Sequence, residues 1–314
     1  MTPSDCILDA WTSAGVPFVR VRAPGYSAAK TFDCGQTFRF SPVGGDPAFV
    51  EGAACEDSAR ETRITVDGRE PGALILGGVT PESFAARWYG YLALDEDCEE
   101  AERAILAAVP LACPVGTEAA LRETADALAA GRGIHILRQE PWETLVTFIL
   151  SQNNNIPRIR GIVARLVRAC GRFPLPEDLE RIGADGLYAL GCGFRAKYLA
   201  DAAGRVLDGA VSLARIAGTM DYDAAQAELM TIRGVGPKVA SCVLLFGFHR
   251  TEAFPVDVWM KKSLARRYPG GLDPAPFGKW AGYLQQCLFF SERNQAALGG
   301  ASEHTFGKDV LSAR

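Results

Sequence analysis

The segment Ile232-Arg233-Gly234-Val235-Gly236-Pro237-Lys238-Val239-Ala240 constrains this chain more than any other. Gly234 and Gly236 permit a tight turn that residues with side chains resist. Pro237 suits the first position of a helix, where a missing N–H costs nothing. Ala224 to Ile232 before the turn and Pro237 to Phe246 after it both read as helices, so the unit is two helices joined by a glycine hairpin. The free N–H groups at the start of the second helix offer a place for a phosphate. A glycine pair before a helix is by itself an ordinary turn, so any chemistry has to come from its neighbours.

Two neighbours bring it. Lys238 lies in the first turn of the second helix, and Asp257 follows nineteen positions later in Pro255-Val256-Asp257. A nucleophilic amine must lose its proton more readily than an ordinary lysine of pKa ~10.4. The positive end of a helix and partial burial both act in that direction. On residue type alone, Lys238 reads first as a solvent-facing lysine. Asp257 reads as the N-cap of a helix from Val258 to Tyr268. Helix N–H groups favour a charged carboxylate, which is also what an electrostatic stabiliser needs. Amine, carboxylate and phosphate grip together suggest covalent chemistry on a nucleic-acid sugar.

The rest of the chain narrows the class. Its 314 residues, 48% hydrophobic, suit two globular domains. No apolar run approaches the roughly 18 residues of a membrane span. The first residues lack the basic and apolar stretches of a secretory signal. Nine scattered cysteines, an odd number, argue against a disulfide framework and fit a reducing compartment. No CxxC pair occurs, and none of the three histidines lies near two cysteines, so neither a zinc site nor an iron–sulfur cluster is expected. The net charge of −4 conceals an asymmetry. Residues 1–130 carry 10 Lys+Arg against 20 Asp+Glu, net −10, and residues 131–314 carry 23 against 17, net +6. Such a split points to an interaction surface on one half.

The texture changes along the chain. Phe18–Arg22, Thr37–Phe40 and Arg63–Gly68 alternate, and Ala73–Gly78 is a short apolar run, so an antiparallel sheet is predicted early. The acidic run Asp95–Glu102 opens a helix. From about residue 115 the spacing is helical: Glu118–Ala130, Pro141–Leu150, Ile159–Cys170, Ala196–Leu207 and Trp280–Phe290 join the two helices of the hairpin. The fold class is α+β.

With these residues in view, Gly234–Ala240 and Pro255-Val256-Asp257-Val258 resemble the helix-hairpin-helix glycosylase superfamily with its Gly/Pro…Asp signature. Further segments narrow the resemblance to the 8-oxoguanine DNA glycosylase family. They are Cys34-Gly35-Gln36-Thr37-Phe38-Arg39, Leu137-Arg138-Gln139-Glu140-Pro141, Ser151–Ile159 with its asparagine triplet, and Gly191–Tyr198. The matches extend from about residue 33 to 290.

The resemblance implies three segments: an N-terminal antiparallel β-sheet domain of the TATA-binding-protein type over 1–112, a helical glycosylase domain over 113–295 and a tail over 296–314. It implies a bifunctional enzyme that excises 8-oxoguanine opposite cytosine and nicks the abasic strand. Lys238 would be the Schiff-base nucleophile and Asp257 the stabiliser of the sugar cation. Gly35, Cys242, Gln285 and Phe289 would hold the extruded base. Asn153 would fill the gap, Arg158 and Arg195 would hydrogen-bond the cytosine, and Phe194 would be the wedge. Gly234, Gly236, Lys238 and Lys261 would meet phosphates, helped by a basic face of Arg160, Arg165, Arg168, Lys262, Arg266 and Arg267. No cofactor is required, although a monovalent cation fits the family's hairpin. The partner is double-stranded DNA, the protein a monomer, and the compartment the cytoplasm of a bacterium or the nucleus of a eukaryote. Two rivals stand beside this reading: a glycosylase for alkylated bases and a non-catalytic DNA-binding module. The chain departs from the family pattern at Arg233, where proline is common, and at Trp259, where animal relatives carry histidine.

Overall fold

The computed structural model describes residues 2–56, 60–218 and 220–299, the last five as backbone only. Residues 300–314, most of the expected tail, lie outside the described residues.

Six strands form one antiparallel sheet: β1 (Ile7–Ser13), β2 (Val16–Arg22), β3 (Phe40–Val43), β4 (Asp46–Cys55), β5 (Glu61–Asp67) and β6 (Ala73–Gly77). Their spatial order is β1-β2-β6-β5-β4-β3. Two hairpins close over two residues with positive φ, Ala14-Gly15 and Gly44-Gly45, the turn whose twist matches that of the strands. Alternation explains the buried face. Val19 and Val21, Ile64 and Val66, and Leu74 and Leu76 point together into a core closed by Phe32, Phe40, Phe84, Trp88 and Leu92. The opposite edge, β1, is nearly all exposed, and its Trp11 stacks on Phe18 of β2 at 5.5 Å.

One expected strand is corrected. Residues 37–39 are outside the ladder, which begins only at Phe40. The preceding chain turns inward because Gln36, 1% exposed, anchors it to a distant segment. Its Nε2 donates to the carbonyls of Thr31 and His135, both at 2.8 Å. Its Oε1 accepts from the Leu137 N–H at 2.8 Å.

The helices surround two further cores. Pro141–Ser151 and Pro237–Gly247 are apolar almost all round and are the centre of one, as helices buried on every side must be. Ile156–Cys170, Pro176–Leu187, Ala196–Leu207 and Tyr222–Met230 pack about them. The other core joins Cys98–Ala112, Thr117–Gly131 and Ala281–Gly299, so the helix capped by Asp97 buries its apolar face away from the sheet. Sheet and helices are tied by a buried ion pair: Arg39 Nη1 lies 3.2 Å from Glu143 Oε2, which also accepts from the Cys55 N–H at 2.8 Å. Among the described residues, no helix is long and apolar enough to cross a membrane.

Candidate active site

The hairpin forms between Tyr222–Met230 and Pro237–Gly247. Gly234 has φ +79°, and a Cβ there would sit 2.4 Å from the Tyr198 ring, so only glycine fits. Gly236 is the N-cap of the second helix and brings no side-chain cap, leaving the first-turn N–H groups open to an anion. Arg233, in place of a proline, has its own explanation. Its backbone N–H donates to Asp201 Oδ2 at 2.8 Å, and a proline has no such group to give.

Lys238 is half-buried. Its Nζ lies 5.5 Å from the centre of the Phe148 ring, over its face. It also reaches the Cys242 thiol one turn further along the helix. Cys242 is 4% exposed, and burial raises its pKa above the ordinary thiol value. The Lys238 charge and hydrogen bond oppose that rise, and the Asp257 carboxylate adds to it. Asp257 is the expected N-cap: its Oδ1 accepts from the Met260 N–H at 2.6 Å at the head of Val258–Arg267.

The residues expected to hold a base come from three distant segments. Gly35, at φ +85°, packs against Phe289: a Cβ on it would lie 3.4 Å from the ring. Trp259 and Phe289 meet edge-on, with ring centres 6.1 Å apart. Gln285, one turn before Phe289, is 4% exposed and accepts from Gln286 Nε2 at 2.8 Å. Among the described residues, no group of three or more His, Cys, Asp or Glu side chains could hold a metal ion.

The residues expected at the base gap gather at another junction. Asn153 is exposed in a left-handed conformation, φ +47°, just past Pro141–Ser151. Asparagine tolerates that region better than most residues. Phe194 is 50% exposed, held by the glycine kinks at 191 and 193. Arg158 is exposed in the first turn of Ile156–Cys170, and its guanidinium has no partner among the described residues. Arg195 differs: it is 2% exposed. Its Nε donates to the Gln152 carbonyl at 2.7 Å and its Nη2 to the Asn153 carbonyl at 2.7 Å. Its guanidinium is thus spent on the backbone that presents Asn153.

The basic face is smaller than the sequence suggests. Lys261 and Lys262 are exposed, and so is Arg168. Arg165 Nε donates to the Leu190 carbonyl at 2.7 Å. Arg266 and Arg267 are both tied to Glu292, and Arg267 also to Glu123. Both charges are paired with carboxylates in this structure. Phe148, Tyr198 and Gln36 were not singled out by the sequence. Pro141–Ser151 carries Glu143, Thr144 and Thr147 among its apolar residues, and nothing in its pattern set Phe148 apart.

Residues 19–145 match the 8-oxoguanine DNA glycosylase N-terminal domain, and residues 146–274 match the HhH-GPD superfamily of base excision DNA repair proteins. A Methanothermobacter thermautotrophicus protein named "Probable N-glycosylase/DNA lyase" is 32% identical over 211 residues, 54% of this chain and 67% of that protein. The N-glycosylase/DNA lyase of Saccharomyces cerevisiae is 36% identical over 46% of this chain and 45% of its own length. The 8-oxoguanine glycosylase/lyase of Clostridium acetobutylicum, solved with DNA containing cytosine opposite 8-oxoguanine, superimposes with a TM-score of 0.77 at 27% identity. That match covers 92% of this chain and 99% of the solved one. Sheet, helices and hairpin signature together make this chain a member of the 8-oxoguanine DNA glycosylase family within the HhH-GPD superfamily.

Proposed function

We propose that this protein is a bifunctional DNA glycosylase and abasic-site lyase that removes 8-oxoguanine from duplex DNA. The observation that carries the reading is the placement of Lys238: an amine in the first turn of the hairpin helix, beside the Phe148 ring and the Cys242 thiol, with Asp257 held by a helix N–H group at the head of Val258–Arg267.

The chemistry follows from those positions. The damaged nucleotide leaves the stack, at a cost of a few kcal/mol. Asn153 and Phe194 occupy the space it vacates, and Arg158 meets the cytosine left behind. The base enters between Cys242 and Phe289, with Gln285 toward its Watson–Crick edge. The Gly35 carbonyl accepts the N7–H that oxidised guanine has and guanine lacks. A site built around that bond leaves a buried acceptor unpaired with the wrong base, which is how one hydrogen bond discriminates. The Lys238 amine forms a bond to C1′ of deoxyribose as the bond from C1′ to the base breaks, and Asp257 stabilises the positive charge that develops on the sugar. Loss of the ring C1′–O4′ bond yields an imine, and removal of a C2′ proton expels the 3′ phosphate. Phosphate grip comes from the N–H groups after Gly234 and Gly236 and from Lys261; a monovalent cation, were one held by the hairpin, would add its charge to that grip. The protein acts as a monomer where chromosomal DNA lies, the cytoplasm in a bacterium or the nucleus in a eukaryote.

Borohydride reduction tests the nucleophile. Wild type incubated with an 8-oxoguanine:cytosine duplex is expected to yield a covalent protein–DNA adduct, and Lys238→Gln none while still binding the duplex. Absence of an adduct with active wild type removes the lyase reading and favours water as nucleophile. Loss of binding but not of excision in Lys238→Gln would reduce the lysine to a phosphate contact.

A further inference from the structure

The helix Ala196–Leu207 touches both ends of the DNA-binding machinery. At its start it carries the exposed Phe194 and the buried Arg195, whose guanidinium holds the Gln152 and Asn153 carbonyls. One turn in, Tyr198 meets the exposed Phe194 edge-on, with ring centres 5.8 Å apart. The same Tyr198 ring lies under Gly234, so close that a Cβ there would approach it to 2.4 Å. Asp201, one turn further, accepts the Arg233 N–H at 2.8 Å and is held by Arg205 at 2.8 Å. Asp201 fixes the height of the hairpin on the helix, and Tyr198 fills the space between hairpin and wedge.

We propose that Tyr198 is a positioning residue that couples the Phe194 wedge to the Gly234 hairpin, so that gripping a phosphate and driving the wedge into the stack occur together. The argument is steric. An aromatic ring half-exposed to water has many orientations unless something backs it. The Arg195 guanidinium covers one face of it, 4.3 Å from the ring centre, and Tyr198 is the aromatic ring in contact with it; Tyr198 cannot move toward the hairpin because Gly234 already touches it. A phosphate drawn to the N–H groups of the hairpin therefore presses on a rigid stack of backbone, Tyr198 and Phe194 rather than on a mobile loop. The tyrosine needs no contact with DNA to do this. The inference rests on the glycosylase reading, since a wedge matters only where a base is extruded.

The experiment is a double-mutant cycle of Phe194→Leu and Tyr198→Leu. It is read by the fluorescence of a 2-aminopurine placed beside 8-oxoguanine and by single-turnover excision. Each single variant is expected to lower excision about tenfold, in keeping with the energy of one aromatic stack on a base. The double variant is expected to be no worse than the weaker single variant by more than about twofold, because both remove the same unit. Tyr198→Phe keeps the ring and should restore wild-type fluorescence. Additive losses, or a Tyr198→Phe defect equal to that of Tyr198→Leu, overturn the coupling. If Tyr198→Leu does not fold, Gly234→Ala serves, since its Cβ displaces the tyrosine ring; unchanged fluorescence in a folded Gly234→Ala also overturns it. Wild-type protein without excision activity would sink the glycosylase reading itself, whereas active wild type with an additive cycle sinks only the role of Tyr198.

Discussion

The two arginines expected at the estranged cytosine do different work, and the difference can be measured. Arg158 is exposed and unpartnered among the described residues, whereas Arg195 is 2% exposed and committed to backbone carbonyls. Arg158→Ala is therefore expected to erase the preference for cytosine opposite the lesion. A good base contact provides about 1–3 kcal/mol of discrimination. Arg195→Ala should instead slow excision opposite every base by a similar factor, because it frees the turn that carries Asn153. Rates opposite the four bases check both, and an unchanged preference in Arg158→Ala would remove it as the reader. At this scale the sequence was legible where chemistry is local. Lys238 and Asp257 stand out because a hairpin and an N-cap have short-range signatures. The Gly35–Phe289 contact joins residues from opposite ends of the chain, and no periodicity encodes it. The burial of Arg195 was equally hidden, because an arginine beside two glycines looks exposed until its carbonyl partners are brought near.

Elements were legible in proportion to how one-sided their burial is. Strands β2 and β5 alternate because one face meets the core, β6 stands out as a short apolar run buried on both faces, and helix Ala196–Leu207 runs as its spacing predicts. Strand β1 escaped notice because it is an edge with almost no buried residue, and β4 because Gly52, Ala53 and Ala54 break the alternation with small side chains. Helix Pro176–Leu187 escaped because Gly183, at φ +68°, interrupts it. The segment 134–139, which links the sheet to the helical core, contains His135, 6% exposed. Its Nδ1 faces the Ala93 carbonyl at 2.9 Å, its Nε2 the Cys98 thiol at 3.6 Å, and its ring stacks on Tyr26 at 4.6 Å. Burial lowers its pKa, opposed by the Ala93 carbonyl and by Glu96 and Asp95. The unfolded chain, with a histidine near ~6.5, then binds the proton that the folded one refuses. Its contribution to stability is full above that pH and is lost as pH falls below it. The melting temperature should drop between pH 7 and pH 5, above the carboxylate range, and should drop less in His135→Asn. Equal drops in both proteins would exclude this histidine as the cause.

Taken whole, the molecule is acidic yet has to bind a polyanion, and the division of charge resolves the conflict. The first 130 residues hold a net −10 and the remainder +6, so the helical half presents the cations while the sheet half keeps the total at −4. Which cations act is decided by their neighbours rather than by their number. Lys261 and Lys262 are exposed and without an ion pair among the described residues, in the first turn and a half after Asp257, whereas Arg266, on the same helix, spends its charge on Glu292 at 2.5 Å. Each phosphate neutralised releases counterions, so the slope of log affinity against log salt falls by about 0.9 per contact in duplex DNA. Lys261→Gln is expected to flatten that slope by about 1 and to weaken binding alike for damaged and undamaged duplexes, since a phosphate carries no base identity. Arg266→Gln should leave the slope unchanged, because the cation it removes was already paired. Titrating both variants across a range of salt concentrations separates the two cases. An equal flattening from Arg266→Gln would mean that the ion pair with Glu292 opens when DNA arrives, and that local pairing in the free protein does not select the phosphate contacts.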